Sequence, residues 1–170
     1  MATHRISILG HSTIPDDSGN VFPDVFTTIG ASDYFKHMNF VFKVGTTKDS
    51  LFGTFNVPKN YGASAANLIV IWTALDATGN EVVWDFEYRA VSGNDTESLD
   101  QATSQEVGLS VTDAGPSANF ERLETSIALT HGNFAVDDTV EFIFSRDGTE
   151  GDDDMDASAI LFGLLFEYDD

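Results

Sequence analysis

The chain has 170 residues, 28 acidic groups against 8 basic ones, a net charge of −20 and no cysteine. That length suits one domain with one core, and the missing cysteines exclude disulfides, thiolate metal sites and cysteine nucleophiles. Affinity for nucleic acids and anionic membranes rests on basic groups, so such charge speaks against both as partners.

The charge is unevenly placed. Residues 1–60 hold five basic and five acidic groups, whereas residues 61–170 hold three arginines against 23 acids. The opening MATHRISILG lacks the apolar core of a secretory leader, so the chain is expected to be soluble and not exported through a cleaved one. Residues 1–33 contain prolines and scattered apolar residues with no sustained alternation. They predict an extended N-terminal arm or long loop with room for one short edge strand. Val21, Phe22, Val25, Phe26 and Ile29 need somewhere to bury, on their own domain or on a neighbouring subunit.

From residue 34 to 170 period-two alternation predicts a β-sandwich domain. In NFVFKV, Phe40, Phe42 and Val44 oppose Asn39, Val41 and Lys43. In EVVWDFEYRAV, Val82, Trp84, Phe86, Tyr88 and Ala90 oppose Val83, Asp85, Glu87 and Arg89, a strand with one buried and one wet face. Further strands are expected at 5–9, 51–57, 67–74, 106–113, 122–130, 139–146 and 157–168, separated by turn clusters such as DATGNE and DAGPSAN. The fold class is therefore all-β: an antiparallel β-sandwich of jelly-roll type with eight or nine strands.

Motifs with chemical content are few. The histidines His4, His11, His37 and His131 have no ligand-pair spacing, and neither a nucleophile elbow nor a phosphate-binding loop is present. No cofactor is expected. Asp85 and Glu87, two apart on one strand face, have a spacing that paired glycosidase carboxylates can use, set against the plain reading of a charged outer face with Arg89 as ion-pair partner. Trp72, Trp84 and Tyr88 could form a sugar-stacking platform, although their place among alternating apolar residues reads as core.

The stretch RDGTEGDDDMD (146–156) places Asp152, Asp154 and Asp156 at alternate positions, as in a calcium loop. The glycine and the later bidentate glutamate of such a loop are missing. The stretch reads as a solvated turn facing water.

The strands 68–91, the N-F-A-x-x-D-T-V-x-F segment at 133–142, the S-R-D-G at 145–148 and the closing F-E-Y at 166–168 resemble small β-sandwich proteins of phage virions, similar to capsid decoration (cement) proteins. The resemblance covers about residues 51–168 and is structural, with no catalytic content. It implies a non-enzymatic virion component, a homotrimer made in the host cytoplasm and binding neighbouring major capsid subunits on the outer capsid surface. The neutral N-terminal third, with the arm, would supply the docking contacts. The runner-up reading is a carbohydrate-binding tail or adhesin module, and a jelly-roll glycosidase comes last.

Overall fold

Alternation along the strands decides which face of each sheet meets the other. The computed structural model describes residues 2–10, 13–27, 36–74, 76, 79–92, 97–100 and 102–170. Among them are eleven strands: β1 (Thr3–Ser7), β2 (Ile14–Pro15), β3 (Val21–Thr27), β4 (Lys36–Phe42), β5 (Lys48–Asn56), β6 (Ala66–Ala74), β7 (Glu81–Val91), β8 (Glu106–Ala114), β9 (Leu123–Ala128), β10 (Thr139–Asp147) and β11 (Ala159–Asp169). A single 3-10 turn at His131–Asn133 is the helical element of this set.

The strands form two antiparallel sheets packed as a jelly-roll sandwich. The first runs β3-β4-β11-β6-β9 and the second β2-β5-β10-β7-β8. Strand β11 pairs with β6 along one edge; on the other it changes partner, from β4 at Ala159–Leu161 to β1 at Leu165–Asp169. A register shift between Leu161 and Gly163 lets Phe162 bulge from the ladder. Phe162 then packs with Phe22 and Phe120 against Val41 and Ile160 on the outer side of the first sheet.

The main core lies between the sheets. Val82, Trp84, Phe86 and Tyr88 of β7 are all almost fully buried there, as the alternation requires. Trp84 stacks on Phe144 with ring centroids 5.1 Å apart and meets Trp72 and Phe42 edge-on at 5.5 and 5.4 Å. Trp72, Trp84 and Tyr88 are thus core residues and form no exposed platform.

The N-terminal segment corrects the expectation of an arm. Its described part belongs to both sheets: β1 pairs with β11, β2 with β5, and β3 with β4 over seven register positions. The strand expected at 5–9 is there as β1, two residues earlier, while β2 has two residues and β3 carries a proline, which is why alternation did not betray those two. Pro23 is accommodated because β3 is an edge strand, where a missing N–H need not break a ladder. Val21, expected as a docking residue, lies in the main core at 2 % exposure. Phe22 packs on the secondary cluster. The side chains of Val25 and Phe26, and the whole of Ile29, lie outside the described residues.

Candidate functional site

On the outer face of the second sheet the strand register sets side chains in rows across β5, β10 and β7. One row is Ile14, Phe52, Ile143 and Glu87; the next is Thr54, Glu141 and Arg89; the third, on the other side of the first, is Ser50, Ser145 and Asp85. The first two rows floor a cavity of about 440 Å³, walled by Leu99, Asp100, Ala102, Thr103 and Ser104 from the segment before β8. This volume lies in the range of small-ligand sites.

Phe52 is brought to this face by the alternation of β5. Leu51 is buried while Phe52 is 43 % exposed, and Gly53 turns inward, where the Phe142 ring fills the space a Cβ would occupy. Ile14, 65 % exposed, extends the apolar strip. Beside Glu87 the pairing with β8 slips, so that Val107 and Gly108 together oppose it. Gly108 adopts φ 71°, the left-handed conformation that a bulge of this kind assigns to glycine.

The wall is tied to the floor by polar contacts. Ser104 donates its hydroxyl to Glu87 Oε2 at 2.8 Å, Arg89 Nη1 donates to the Thr103 carbonyl at 3.3 Å, and the Ala90 N–H donates to Gln105 Oε1 at 3.1 Å. Arg89 Nε is buried and has no hydrogen-bond partner among the described residues. Arg89 and Glu141 are direct cross-strand partners, yet no ion pair forms between them. The expected pairing of Arg89 with Asp85 or Glu87 is also not formed among the described residues. Asp85 instead accepts from Lys48, which sits 3.5 Å from Asp147 as well. Burial by itself would lower the Lys48 pKa, but these two carboxylates outweigh it and hold the ammonium above the usual lysine value.

Asp85 and Glu87 do share one face, but with different partners: Lys48 for the first, Ser104 for the second. Glu87 lines the cavity; Asp85 lies outside its lining, in the row beyond.

The acidic stretch also needs correcting, because it is not simply a solvated turn. Asp152, Asp154 and Asp156 are exposed, but the Asp153 side chain is 1 % exposed and pairs with Arg146, itself 2 % exposed, at 2.7 Å. Arg146 follows Val140, Phe142 and Phe144 on the inward register of β10, a position that alternation assigns to an apolar residue. Its guanidinium is met by both Asp153 oxygens and by the carbonyls of Met155 and Ala157 at 2.7 and 3.0 Å.

The loop then continues where β10 stops alongside β7. Glu81 N–H donates to Asp154 Oδ1 at 2.7 Å, Val83 N–H donates to Asp153 Oδ2 at 3.2 Å, and Met155 N–H donates to the Glu81 carbonyl at 2.9 Å. Two of the carboxylates therefore stand in for a strand's carbonyls. Among the described residues no three His, Asp or Glu side chains converge on a position that could hold a metal ion.

A second cavity, of about 460 Å³, opens on the outer side of the first sheet. Phe22, Asp24, Val41, Lys43, Val44, Ser158 and Ile160 line it, and the Lys43 ammonium lies 5.3 Å from the centre of the Phe22 ring. It falls largely in the charge-balanced part of the chain.

Phe52, Arg89 and Glu141 escaped the sequence reading as site residues. The signal was present in the alternation of β5, β7 and β10, which puts all three on the wet face; what was missing was the pairing that brings them together.

No protein-family model and no curated protein matches the sequence. Solved structures match the sandwich. A family 35 carbohydrate-binding module from Clostridium thermocellum aligns at 11 % identity and a TM-score of 0.52, over 96 % of this chain and 97 % of that one. The CBM22-1 xylan-binding domain of Paenibacillus barcinonensis Xyn10C aligns at 10 % identity and a TM-score of 0.50, over 98 % of this chain and 92 % of that one. The arabinose-bound α-L-arabinofuranosidase MgGH51 aligns at 10 % identity and a TM-score of 0.51, over 92 % of this chain, which spans 23 % of the length of that one. At such identities these likenesses show a shared fold.

Proposed function

We propose that the chain is a carbohydrate-binding module whose ligand lies in the groove on the outer face of the second sheet. The observation that carries the reading is the side-by-side placement of an apolar strip, Ile14, Phe52 and Ile143, and a polar row, Thr54, Glu141 and Arg89, on one rigid sheet. A pyranose has the same two aspects: a face of C–H groups that packs on an aromatic or aliphatic surface, and a rim of hydroxyls that needs donors and acceptors. Two of the similar sandwiches are named as carbohydrate- or xylan-binding modules, which supports the same choice.

Groove binding needs no chemistry from Asp85 and Glu87, whose partners are structural. The test is titration of a panel of glycans into the protein and its Phe52→Ala variant. Loss of binding with an unchanged melting temperature is expected; equal binding by the variant would remove the groove from the account.

A second reading, docking on a virion as a capsid decoration protein, is supported by the resemblance of the sequence and by the apolar cavity that Phe22, Val41 and Val44 of the charge-balanced third form with Ile160 of β11. Its partners would be the major capsid subunits and further copies of the chain. Val44→Asp should then abolish capsid occupancy and leave glycan binding intact; full occupancy by that variant would dismiss this surface. The two readings use opposite faces of the sandwich, so a glycan-binding module carried on a virion would satisfy both.

A further inference from the structure

Resting on the saccharide reading above, the structure assigns a ligand class to the groove: we infer that it takes a neutral, hydroxyl-rich glycan and rejects both anionic and cationic ones, with Arg89 and Glu141 as the pair that recognises adjacent hydroxyls. The two residues face each other across β7 and β10 in the cavity floor, and no ion pair joins them. Arg89 is held aside by its bond to the Thr103 carbonyl, which leaves its Nε–H buried without an acceptor. Glu141, half-buried beside it, accepts no hydrogen bond among the described residues.

A buried donor and a half-buried acceptor left open next to each other set a condition on whatever fills the groove. The ligand must accept from Arg89 and donate to Glu141 at neighbouring positions, because a polar group desolvated without a partner is costly. A carboxylate or sulfate would satisfy Arg89 but would face Glu141, Glu87 and Asp100, all of which line the same cavity. An ammonium would satisfy Glu141 but would face Arg89 and leave Nε–H unmet. Two adjacent hydroxyls can accept at one oxygen and donate from the other, and they carry no charge to be repelled. The apolar strip of Phe52 and Ile143 in the next row then covers the C–H face of the same ring.

The test is titration calorimetry with three sets of probes: neutral xylo-, manno-, cello- and laminari-oligosaccharides, an oligogalacturonate, and a glucosamine oligomer. At least one neutral probe is expected to bind, and each charged probe at least tenfold more weakly. Arg89→Lys, which lacks the Nε–H, and Glu141→Gln, which keeps shape but not charge, should each weaken the neutral probe about tenfold, the loss of a hydrogen bond to a charged group. Because both residues hold one pair of hydroxyls, the double variant should lose less than the product of the two single losses.

Tighter binding of either charged probe would overturn the inference while leaving the saccharide reading in place. So would binding that is lost in Phe52→Ala yet unchanged in both Arg89→Lys and Glu141→Gln. Failure of every glycan to bind would overturn the saccharide reading and this inference with it. The ranking of probes uses the unaltered protein, so it decides even where a variant folds poorly.

Discussion

Replacing Asp153 with alanine should reveal how much of the fold depends on a loop that looks, in sequence, like surface charge. The side chain is 1 % exposed and makes four of the contacts that fix the 148–158 connection: three with the guanidinium of Arg146 and one from the Val83 N–H. Its removal leaves Arg146, 2 % exposed, with backbone carbonyls that stabilise the cation without neutralising it. Breaking one side of a buried pair costs about 3–5 kcal/mol. For a chain of this size each kcal/mol shifts the melting temperature by about 2–4 °C, so a fall of about 6–20 °C is expected. Urea denaturation followed by circular dichroism, with calorimetry for the midpoint, measures it. Asp152→Ala is the control: that side chain is exposed and has no hydrogen-bond partner among the described residues, so its change should stay within about 0.5 kcal/mol. A loss below about 1 kcal/mol in Asp153→Ala, or an equal loss in Asp152→Ala, would refute the reasoning.

Trp84→Ala should destabilise by about 3–5 kcal/mol, because the side chain is fully buried among Phe42, Trp72 and Phe144; a stable, native-like variant in thermal melts would contradict the placement. Gly148→Ala would set a Cβ 2.3 Å from the Gly45 carbonyl oxygen and 3.0 Å from that of Thr47, both backbone atoms, and should cost about 1–3 kcal/mol by denaturation. Glu106 tests acid stability. Burial opposes its ionisation, but donors from Tyr88, Thr130 and Asn133 outweigh that and hold its pKa below the usual glutamate value. A carboxylate whose folded pKa is lowered stabilises fully above its unfolded pKa, and that stability is lost as pH falls through the folded value. Glu106→Gln should therefore flatten the stability profile between about pH 4.5 and lower pH; an unchanged acid limb would count against the network.

Much of the sandwich was legible because several strands from 36 onward alternate, while β6 and β11 are apolar runs buried on both faces. In EVVWDFEYRAV the expected sets match the structure at Trp84, Phe86 and Tyr88 on the buried side and at Glu87 and Arg89 on the other, while Val83 and Asp85, expected on the wet face, are buried as well. The pairing of the N-terminal segment escaped because it depends on contacts far apart in sequence. The strand expected at 5–9 is present as β1, two residues earlier and held by the last strand, β11, whereas β2, two residues long, and β3, with its proline, carry too little pattern to declare themselves.

The acidic loop misled for a different reason. Composition averages over Asp152, Asp153 and Asp154, whereas the structure separates them: the inward-facing Arg146 captures Asp153, and the Glu81 N–H donates to Asp154. An arginine on the inward register of β10 was the sign that something acidic must follow it inside. The groove was half legible: Glu87 and Arg89 lie on the face of β7 that alternation assigned to water, but Phe52, Arg89 and Glu141 become neighbours only once β5, β10 and β7 pair.

The central claim, that the outer face of the second sheet binds a saccharide, is tested most directly by mapping amide shifts of isotope-labelled protein during titration with the tightest neutral oligosaccharide. Saturable shifts concentrated at Phe52–Thr54, Glu87–Arg89 and Glu141–Ile143 are predicted. Shifts that cluster instead around Phe22, Val41 and Ile160, or none with any glycan, would contradict it.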